Sequence, residues 1–286
     1  MANNLTLIKK YIELLDEVYK SATLTADLES DSSTVQQGSN ARTILIPKMS
    51  MDGLGDYSRK DGYVSGDVDL EWVEKTFNYD RGRRFSVDAM DNEETAALSF
   101  GKLASEMDAW RFAAYAKAAG TNKSEDLADG TAVCAAITAA NIAMDEAEVP
   151  QESRLLYITP TMYNAIQALD TYKSKAMLAG FAKTIRVPQS RFYSAIDLLS
   201  GVDKTGSSGA DESAGGYKAA TAGKKLNFLI VQKNSPIQFT KHTVNKVITP
   251  EQNQHSDAWL YFYRAYGITE VYDNKKFGIY ASVSKT

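Results

Sequence analysis

Apolar and polar residues alternate along residues 66–88, GDVDLEWVEKTFNYDRGRRFSVD, and this period of two predicts a β-strand. The apolar positions form two sets in opposite phases: Val68, Leu70 and Trp72 in the first, and Val73, Phe77, Tyr79, Phe85 and Val87 in the second. The phase slips by one residue after Trp72, which indicates a β-bulge or a sharp twist. At about 3.3 Å per residue a single strand here would be roughly 70 Å long. A compact chain of 286 residues has a diameter of only roughly 50 Å.

The residues before this strand extend it into a long hairpin. Residues 41–49, ARTILIPKM, have the pattern of a strand, which Pro47 confines to a sheet edge or a bulge. Glycines at positions 53, 55, 62 and 66 indicate a flexible tip. A lone hairpin is marginally stable in water, so an arm over residues 41–88 that projects from its own core needs apolar cover from a neighbouring copy. The alternative is a strand that breaks at residues 72–73 and folds back on its own core.

The clearest helix signal follows this arm. The stretch DNEETAALSFGKLASEMDAWRFAAYAKAAG opens with Asp91 and, three residues later, Glu94, and it ends at Gly120. These are typical residues of a helix N-terminus and of a helix stop. The predicted apolar stripe consists of Phe100, Leu103, Met107, Trp110 and Ala114. A helix over residues 91–119 would be about 40 Å long.

The segments on either side complete an α+β pattern. Residues 1–19 place Leu5, Ile8, Ile12, Leu15 and Tyr19 at helical spacing, and this amphipathic segment either docks on a partner or packs on its own body. Residues 20–40 are polar and are interpreted as an extended arm. Beyond residue 130, helices and strands are mixed without regular βαβ alternation.

Composition narrows the classes of function. The formal net charge is −4, so nothing marks the whole chain as a nucleic-acid binder. A single cysteine, Cys134, excludes an internal disulfide framework and fits a reducing compartment. We interpret it as a small buried side chain, with a reactive thiol as the alternative. No stretch has the pattern of a secretory signal or the length and apolarity to cross a bilayer, so we expect a soluble protein.

Sequence motifs for chemistry are missing. His242 and His255 lie in no H-E-x-x-H motif, and no G-x-S-x-G or G-x-G-x-x-G motif occurs. The stretch ATAGKK resembles a phosphate loop, but Lys218 stands where the first glycine belongs and Lys225 replaces the Ser/Thr. We therefore predict no catalytic, cofactor-binding or metal-binding residues and no enzymatic activity. An enzyme or a small-ligand binder is therefore the hypothesis of function that we favour least.

Arginines are the sharpest charge feature. Arg81, Arg83 and Arg84 form a cluster that can make ion pairs between subunits, contact phosphate, or lie on a solvated strand face. Because acidic residues such as Asp80 and Asp88 are close in sequence, pairing with carboxylates is favoured over phosphate. Arg264, inside WLYFYRAYG, indicates a buried or interfacial ion pair, or stacking on an aromatic ring.

The order of these segments resembles the major capsid proteins of tailed bacteriophages, of the kind found in phages and prophages of low-GC Gram-positive bacteria. After the polar arm, the hairpin and the long helix come VPQESRLLYITPTMY, IRVPQSRFY and the terminal AWLYFYRAYGITEVYDNKKFGIYA, so the resemblance covers essentially the whole chain. It implies an α+β fold with an N-terminal arm, an extended β-hairpin loop, a long spine helix in a peripheral domain, and an axial domain.

The resemblance also implies domain boundaries. The arm would span residues 1–40 and the hairpin loop residues 41–88. Residues 89–130 would form the peripheral domain, including the spine helix at 91–119. Residues 131–255 would be mainly axial, with a mobile loop at 200–225, and the strands of residues 256–286 would be shared between the two domains.

The function implied is that of a structural virion protein. Copies would self-assemble into hexamers and pentamers of an icosahedral head that encloses double-stranded DNA, inside the host bacterial cytoplasm. The expected partners are other copies, a separate scaffolding protein, a portal, and packaged DNA contacted weakly and without sequence preference, with no membrane. The start at Met1 favours a separate scaffolding protein over a chain that is already processed.

The runner-up, of the same fold, is an encapsulin-type nanocompartment shell that stores an enzyme instead of DNA. In either case we expect contacts between subunits at Lys60, Trp72, Phe77, Tyr79, Arg81, Arg83, Arg84 and Arg264.

Overall fold

A computed structural model describes residues 23–30, 36–37, 42–60, 62–88, 95–205 and 209–285. The four α-helices within these ranges are α1 (Thr95–Ala118), α2 (Gly130–Glu146), α3 (Pro160–Ala168) and α4 (Tyr172–Ala179). Short 3-10 turns lie at Ala26–Leu28, Gln189–Arg191, Pro250–Gln252 and Asp273–Gly278. The helix predicted for residues 1–19 and the capping pattern of Asp91 and Glu94 lie outside the described residues.

A five-stranded mixed sheet forms the centre of the molecule. In spatial order its strands are β5 (Thr121–Glu125), β13 (Ile279–Ser284), β10 (Leu226–Gln232), β6 (Arg154–Ile158) and β7 (Lys183–Arg186). Every residue of β6 and β10 is buried. Their sequences, RLLYI and LNFLIVQ, are nearly continuous apolar runs because both faces of a central strand meet helices.

Helices cover the two faces of this sheet. On one face, Phe112 and Tyr115 of α1 pack in a cluster with Leu155 and Tyr157. On the other face, residues of α2, α3 and α4 pack against Leu156. The neighbouring residues Leu155 and Leu156 thus belong to opposite layers, which follows from the two-residue period of a strand.

A second sheet of three long antiparallel strands lies on the opposite side of α1. Its order is β11 (Pro236–Ile248), β12 (Ala258–Val271) and β4 (Tyr79–Asp88). The central strand β12 has 14 residues and is about 46 Å long at about 3.3 Å per residue. Alternate residues Tyr261, Tyr263 and Ala265 are buried, and this buried face of the strand meets α1.

Because α1 lies between two sheets, it is buried on more sides than the sequence predicted. Met107, from the predicted stripe, is buried, whereas Trp110 and Ala114 are only half-buried. Phe112 and Tyr115 are fully buried but lie outside that stripe. A single stripe is the pattern of a helix with one covered face, so it misses the second buried side.

The predicted single strand over residues 66–88 is divided between two sheets. β3 (Val68–Thr76) pairs with β2 (Thr43–Met51) in a hairpin that β1 (Gln36–Gln37) extends, whereas β4 pairs with β12. The division falls at Phe77 and Asn78. There the Asn78 side chain donates to the Thr269 carbonyl at 3.0 Å and accepts from the Thr269 amide at 3.1 Å, so it occupies the backbone groups at the end of β12.

The described part of the Gly/Ser/Ala-rich stretch at residues 200–225 includes a short strand and several side-chain hydrogen bonds. β8 (Ile196–Leu198) pairs with β9 (Tyr217–Ala219), and between them Glu212 accepts from the amide and hydroxyl of Ser200 and from Lys204. These bonds hold the pKa of Glu212 down, at about 2.

Candidate assembly surfaces

The hairpin ladder runs without a break from its base to its outer end. Thr43 pairs with Thr76 and Met51 with Val68, and every intervening residue keeps its partner. The predicted bulge at Trp72 and Val73 is therefore wrong. The alternative, a strand that breaks and folds back on its own core, is right about the break but places it at residues 72–73, whereas it lies at residues 77–78, after which β4 joins the chain's own sheet. The phase slip in the sequence has another cause, which is that the two faces of the hairpin exchange roles along its length.

At the base, the hairpin faces its own body. Ile44 and Ile46 are buried in a cluster with Ile237 and Ile268 of the three-stranded sheet, and Phe77 packs at the margin of this cluster. Further out the same face becomes polar, because its next cross-strand pairs are Lys48 with Glu71 and Ser50 with Asp69.

The opposite face is apolar in the outer half of the hairpin and is exposed. Its cross-strand pairs are Pro47 with Trp72, Met49 with Leu70, and Met51 with Val68. The side chains of Trp72, Leu70, Val68, Met49 and Met51 are between 41% and 74% exposed. We call this surface, made of these five residues and Pro47, the outer face. A contiguous exposed apolar surface of this kind marks an interaction site.

The tip of the hairpin is folded. Ser58 and Gly62 exchange backbone hydrogen bonds of 3.1 and 2.8 Å, and the rings of Tyr57 and Tyr63 pack at 4.9 Å. Lys60, at the turn, is exposed. The glycine-rich tip thus contains a hydrogen-bonded turn that carries one exposed lysine and two exposed tyrosines.

Two of the three clustered arginines bind groups of their own chain. Arg81 pairs with Glu106 of α1 at 2.8 Å and donates to the carbonyls of Leu199 and Gly216. Arg83 donates to the carbonyls of Ser213 and Ala214 at 2.9 and 2.6 Å. These arginines therefore tie the loop between β8 and β9 to β4. Arg84 is exposed.

The remaining predicted contact residues also lie on β4 and β12 or beside them. Tyr79 is buried, with its ring 4.9 Å from that of Trp110, and Phe77 packs edge-to-face on Tyr266 at 5.9 Å. Arg264 makes a bidentate pair with Asp80 at 2.8 and 2.6 Å and lies over Tyr266. The predicted pairing and stacking of Arg264 are present, but its side chain is about half exposed rather than buried.

The face of the three-stranded sheet that points away from α1 is partly open. Leu260, Phe262 and Ile248 are half-buried there, and Arg84, Arg264 and Lys246 are exposed. Phe262 pairs with Arg84 on one side and with Lys246 on the other, so the side chains of Arg84, Phe262 and Lys246 form one row across the sheet. We call this surface the open sheet face. It combines apolar groups with positive charge.

Residues 23–30, which we call the strap, cross α1 and bind it through a buried polar network. Asp108 of α1 accepts from the Leu24 amide at 3.0 Å and from the Thr25 hydroxyl at 2.9 Å. Arg111 donates to the same hydroxyl at 2.9 Å. Asp108 is fully buried, and this burial raises its pKa although Leu24, Thr25 and two arginines favour the charged form.

The other end of the strap is bound to β11. The Glu29 carboxylate accepts from the Gln238 side chain at 2.7 Å and from the Thr240 amide at 2.9 Å. The Ser30 amide donates to the Gln238 carbonyl at 2.8 Å, and the Gln238 amide donates to the Ser30 hydroxyl at 3.1 Å. Sequence reasoning missed this network. Its only signal was a buried-helix pattern interrupted by Asp108 and Arg111.

The described residues contain little that resembles a site for chemistry. Within them, no group of three histidine, cysteine, aspartate or glutamate side chains could hold a metal ion. A small cavity between α1 and β12 has a volume of about 10 Å³, far below the roughly 300–1,000 Å³ typical of ligand sites. Burial raises the pKa of the Cys134 thiol, which makes the reactive thiolate scarcer. No helix in this part of the chain combines the length and apolarity needed to span a bilayer.

Comparisons by sequence find no matching family model and no matching curated protein. Solved structures, in contrast, match almost the whole chain. A chain of the capsid structure of cyanophage P-SCSP1u has a TM-score of 0.61 and 13% identity, over 92% of this chain and 88% of that one. A chain from Mycobacterium phage Che8 has a TM-score of 0.59 and 14% identity, over 92% and 91% of the two chains.

A third match, from the asymmetric unit of the mature capsid of bacteriophage PhiM1, has a TM-score of 0.55 and 10% identity. It covers 87% of this chain and 83% of that chain. At these identities the agreement concerns the path of the backbone rather than individual side chains. The resemblance seen in the order of segments is confirmed at the level of the fold: this chain has the same α+β fold as the chains of these phage structures.

Proposed function

We propose that this chain is the major capsid protein of a tailed phage, a structural protein that assembles with copies of itself into a closed shell. The observation that carries the proposal is the outer face of the hairpin. Its base is anchored by buried Ile44 and Ile46 while the apolar outer half is exposed. A hairpin built in this way is completed by contact with another chain.

The energetics favour such a contact. Burying one exposed leucine, valine or methionine side chain completely contributes about 1.5–3 kcal/mol. The outer face offers two methionines, a valine, a leucine and a tryptophan on one rigid ladder. Because the two strands are already paired from Thr43 to Met51, little additional backbone entropy is lost when a neighbour covers them.

The open sheet face is our candidate for a second contact surface. Phe262 and Leu260 provide apolar groups, and Arg84 and Lys246 provide positive charge that suits an acidic neighbour, beside the Arg264–Asp80 pair. Trp72, Lys60, Arg84 and Arg264 therefore remain proposed contacts between subunits. Phe77, Tyr79, Arg81 and Arg83 are bound inside the chain, so we propose that they act indirectly by positioning β4 and its loop.

The finer features of the proposal follow from the shell. Closed icosahedral shells place copies in hexamers and pentamers, with heterologous contacts that close into rings. The proposed contents are double-stranded DNA, and the proposed partners are a scaffolding protein and a portal. Assembly would take place in the bacterial cytoplasm. We propose two domains: a peripheral domain around α1 and the three-stranded sheet, and an axial domain around the five-stranded sheet.

Substitution of the outer face tests the proposal. We expect Met49→Ser combined with Leu70→Ser to leave the chain folded, by circular dichroism, and to reduce the yield of shells at least tenfold in electron micrographs. Leu70 is 60% exposed, and Ile142 on α2, at 56%, provides a control in Ile142→Ser. Deletion of residues 53–66 should have the same effect as the double substitution. Normal shells from both variants would contradict the proposal.

The contents of the particles test the second part of the proposal. Shells purified from infected or induced cells should contain double-stranded DNA. Small shells that enclose a protein cargo would instead identify a nanocompartment of the same fold, and a monodisperse monomer at high concentration would overturn both.

A further inference from the structure

The strap is attached to three separate parts of the molecule. α1 supplies Asp108 and Arg111, β11 supplies Gln238, and β7 supplies Lys183, which pairs with Asp27 at 2.6 Å. β7 is an edge strand of the five-stranded sheet, and β11 is an edge strand of the three-stranded sheet. The strap therefore joins one edge of each sheet across the helix that lies between them.

This attachment depends mainly on polar groups. Leu28 is the one fully buried apolar side chain of the strap, and Leu24 is half-buried. Two carboxylates, Asp108 on the body and Glu29 on the strap, accept several of the hydrogen bonds that hold it. A segment with few buried apolar contacts belongs to the part of a protein that opens locally before the whole unfolds.

A buried hydroxyl beneath the strap opposes its closure. Tyr157 belongs to the same cluster as Leu28 and is fully buried. Its hydroxyl has no hydrogen-bond partner among the described residues. It lies close enough to Asp27 and Asp108 for their charges to raise its pKa, in addition to the larger effect of burial. An unpartnered buried hydroxyl costs free energy that water recovers when the site opens.

We propose that the strap is a releasable clasp, which opens as a unit while α1 and both sheets stay folded. When closed, it fixes the edges of β7 and β11 relative to each other. When open, it frees the joint between the two sheets and the chain that precedes Thr23. The consequence for assembly rests on the proposed function, because a shell built of hexamers and pentamers requires one chain to adopt slightly different shapes.

Hydrogen exchange of the full-length, unassembled chain tests the clasp directly. We expect the amides of Leu24 and Ser30, which donate to Asp108 and Gln238, to exchange at least tenfold faster than those of Leu229 and Ile230 in β10. Equal rates would mean that the strap opens only with global unfolding, and would overturn the inference. Because no assembly is needed, a chain that never forms shells leaves this test intact.

Three variants and a control sharpen the result. Glu29→Gln and Asp108→Asn should each accelerate exchange of the strap at least tenfold and leave β10 unchanged. Tyr157→Phe should slow it, because the phenylalanine removes the unpartnered hydroxyl. The control Asp170→Asn breaks an exposed pair with Lys175 outside the strap and should change the rate less than twofold.

Two results would overturn the clasp. One is equal acceleration in Glu29→Gln and Asp170→Asn, and the other is faster exchange in Tyr157→Phe. Should Asp108→Asn fail to fold, Glu29→Gln decides the test, because Glu29 lies on the strap itself and not on α1.

Discussion

At the scale of single residues, buried charged groups explain features that hydrophobic patterns miss. Arg154 is 3% exposed, and it binds Asp145, Asn141 and the carbonyls of Val149 and Pro150. It thereby joins the start of β6 to the end of α2. Periodicity predicted the apolar residues of both elements, but it carries no information about partners between them, so this arginine was not predicted.

Replacing Arg154 should therefore be costly. In Arg154→Met the carbonyls of Val149 and Pro150 and the carboxylate of Asp145 lose their donor, and we expect a loss of about 1–3 kcal/mol in the free energy of unfolding. Urea denaturation measures it. Lys175→Met, which breaks the exposed pair with Asp170, should change the free energy by at most about 0.5 kcal/mol. Similar losses in both variants would mean that burial of Arg154 is unimportant.

Glu212 provides a prediction about pH. Its pKa is lowered to about 2, first by the Lys204 side chain and then by Ser200. A carboxyl whose folded pKa lies below its unfolded value, about 4.3, contributes stability that is fully present above that value. The contribution is lost as the pH falls toward about 2. Carboxyl carbon NMR should locate the titration of Glu212, and Lys204→Met should raise its midpoint; an unchanged midpoint would assign the shift to Ser200 alone.

At the scale of elements, the sequence predicted the helices and strands well and their partners poorly. The length and C-terminal end of α1 follow from its apolar run and Gly120, since the helix ends at Ala118. The strand character of residues 68–76 and 79–88 follows from alternation. The alternation does not predict which sheet each strand joins, because the same alternating pattern suits any partner strand. At the division between β3 and β4, the side-chain amide of Asn78 makes the two hydrogen bonds to the Thr269 backbone that a paired strand residue would otherwise make.

Asn78 therefore marks a boundary that can be tested. Asn78→Ala removes both a donor and an acceptor from the Thr269 backbone, and we expect a loss of about 1–3 kcal/mol in the free energy of unfolding. Asn78→Asp keeps the acceptor and should lose less. Thermal or urea unfolding distinguishes the two variants, and an equal loss in both would mean that the accepted bond contributes nothing.

At the scale of the whole molecule, the order of segments predicted the α+β capsid fold, and the solved phage structures agree with it. The arrangement of two sheets about α1 was not predicted, because it depends on contacts between residues far apart in the chain. The strap illustrates this, since Glu29 binds Thr240 of β11. The outer face could not be predicted from the sequence either, because it depends on which face of the hairpin is apolar at each point along its length.

The charge of the whole molecule leads to a prediction about DNA. The net charge of the chain is −4, so its overall charge repels DNA phosphate, whereas tight non-specific binding depends on many cation–phosphate contacts. We expect purified capsomers to bind double-stranded DNA with a Kd no tighter than micromolar at about 0.15 M salt. Fluorescence anisotropy with a labelled duplex measures it. Nanomolar affinity would contradict the proposed weak contact with packaged DNA.

The exchange of roles between the two faces of the hairpin restricts how this protein can evolve. Inward-facing Ile46 and outward-facing Met49 lie three residues apart on one strand. Neighbouring side chains of a strand point to opposite sides. Inserting or losing one residue between Ile46 and Met49 would therefore direct the apolar side chains of the outer half to the opposite side of the hairpin. Gaining or losing two residues would only lengthen or shorten the reach toward a neighbour. Related chains should therefore differ here by even numbers of residues.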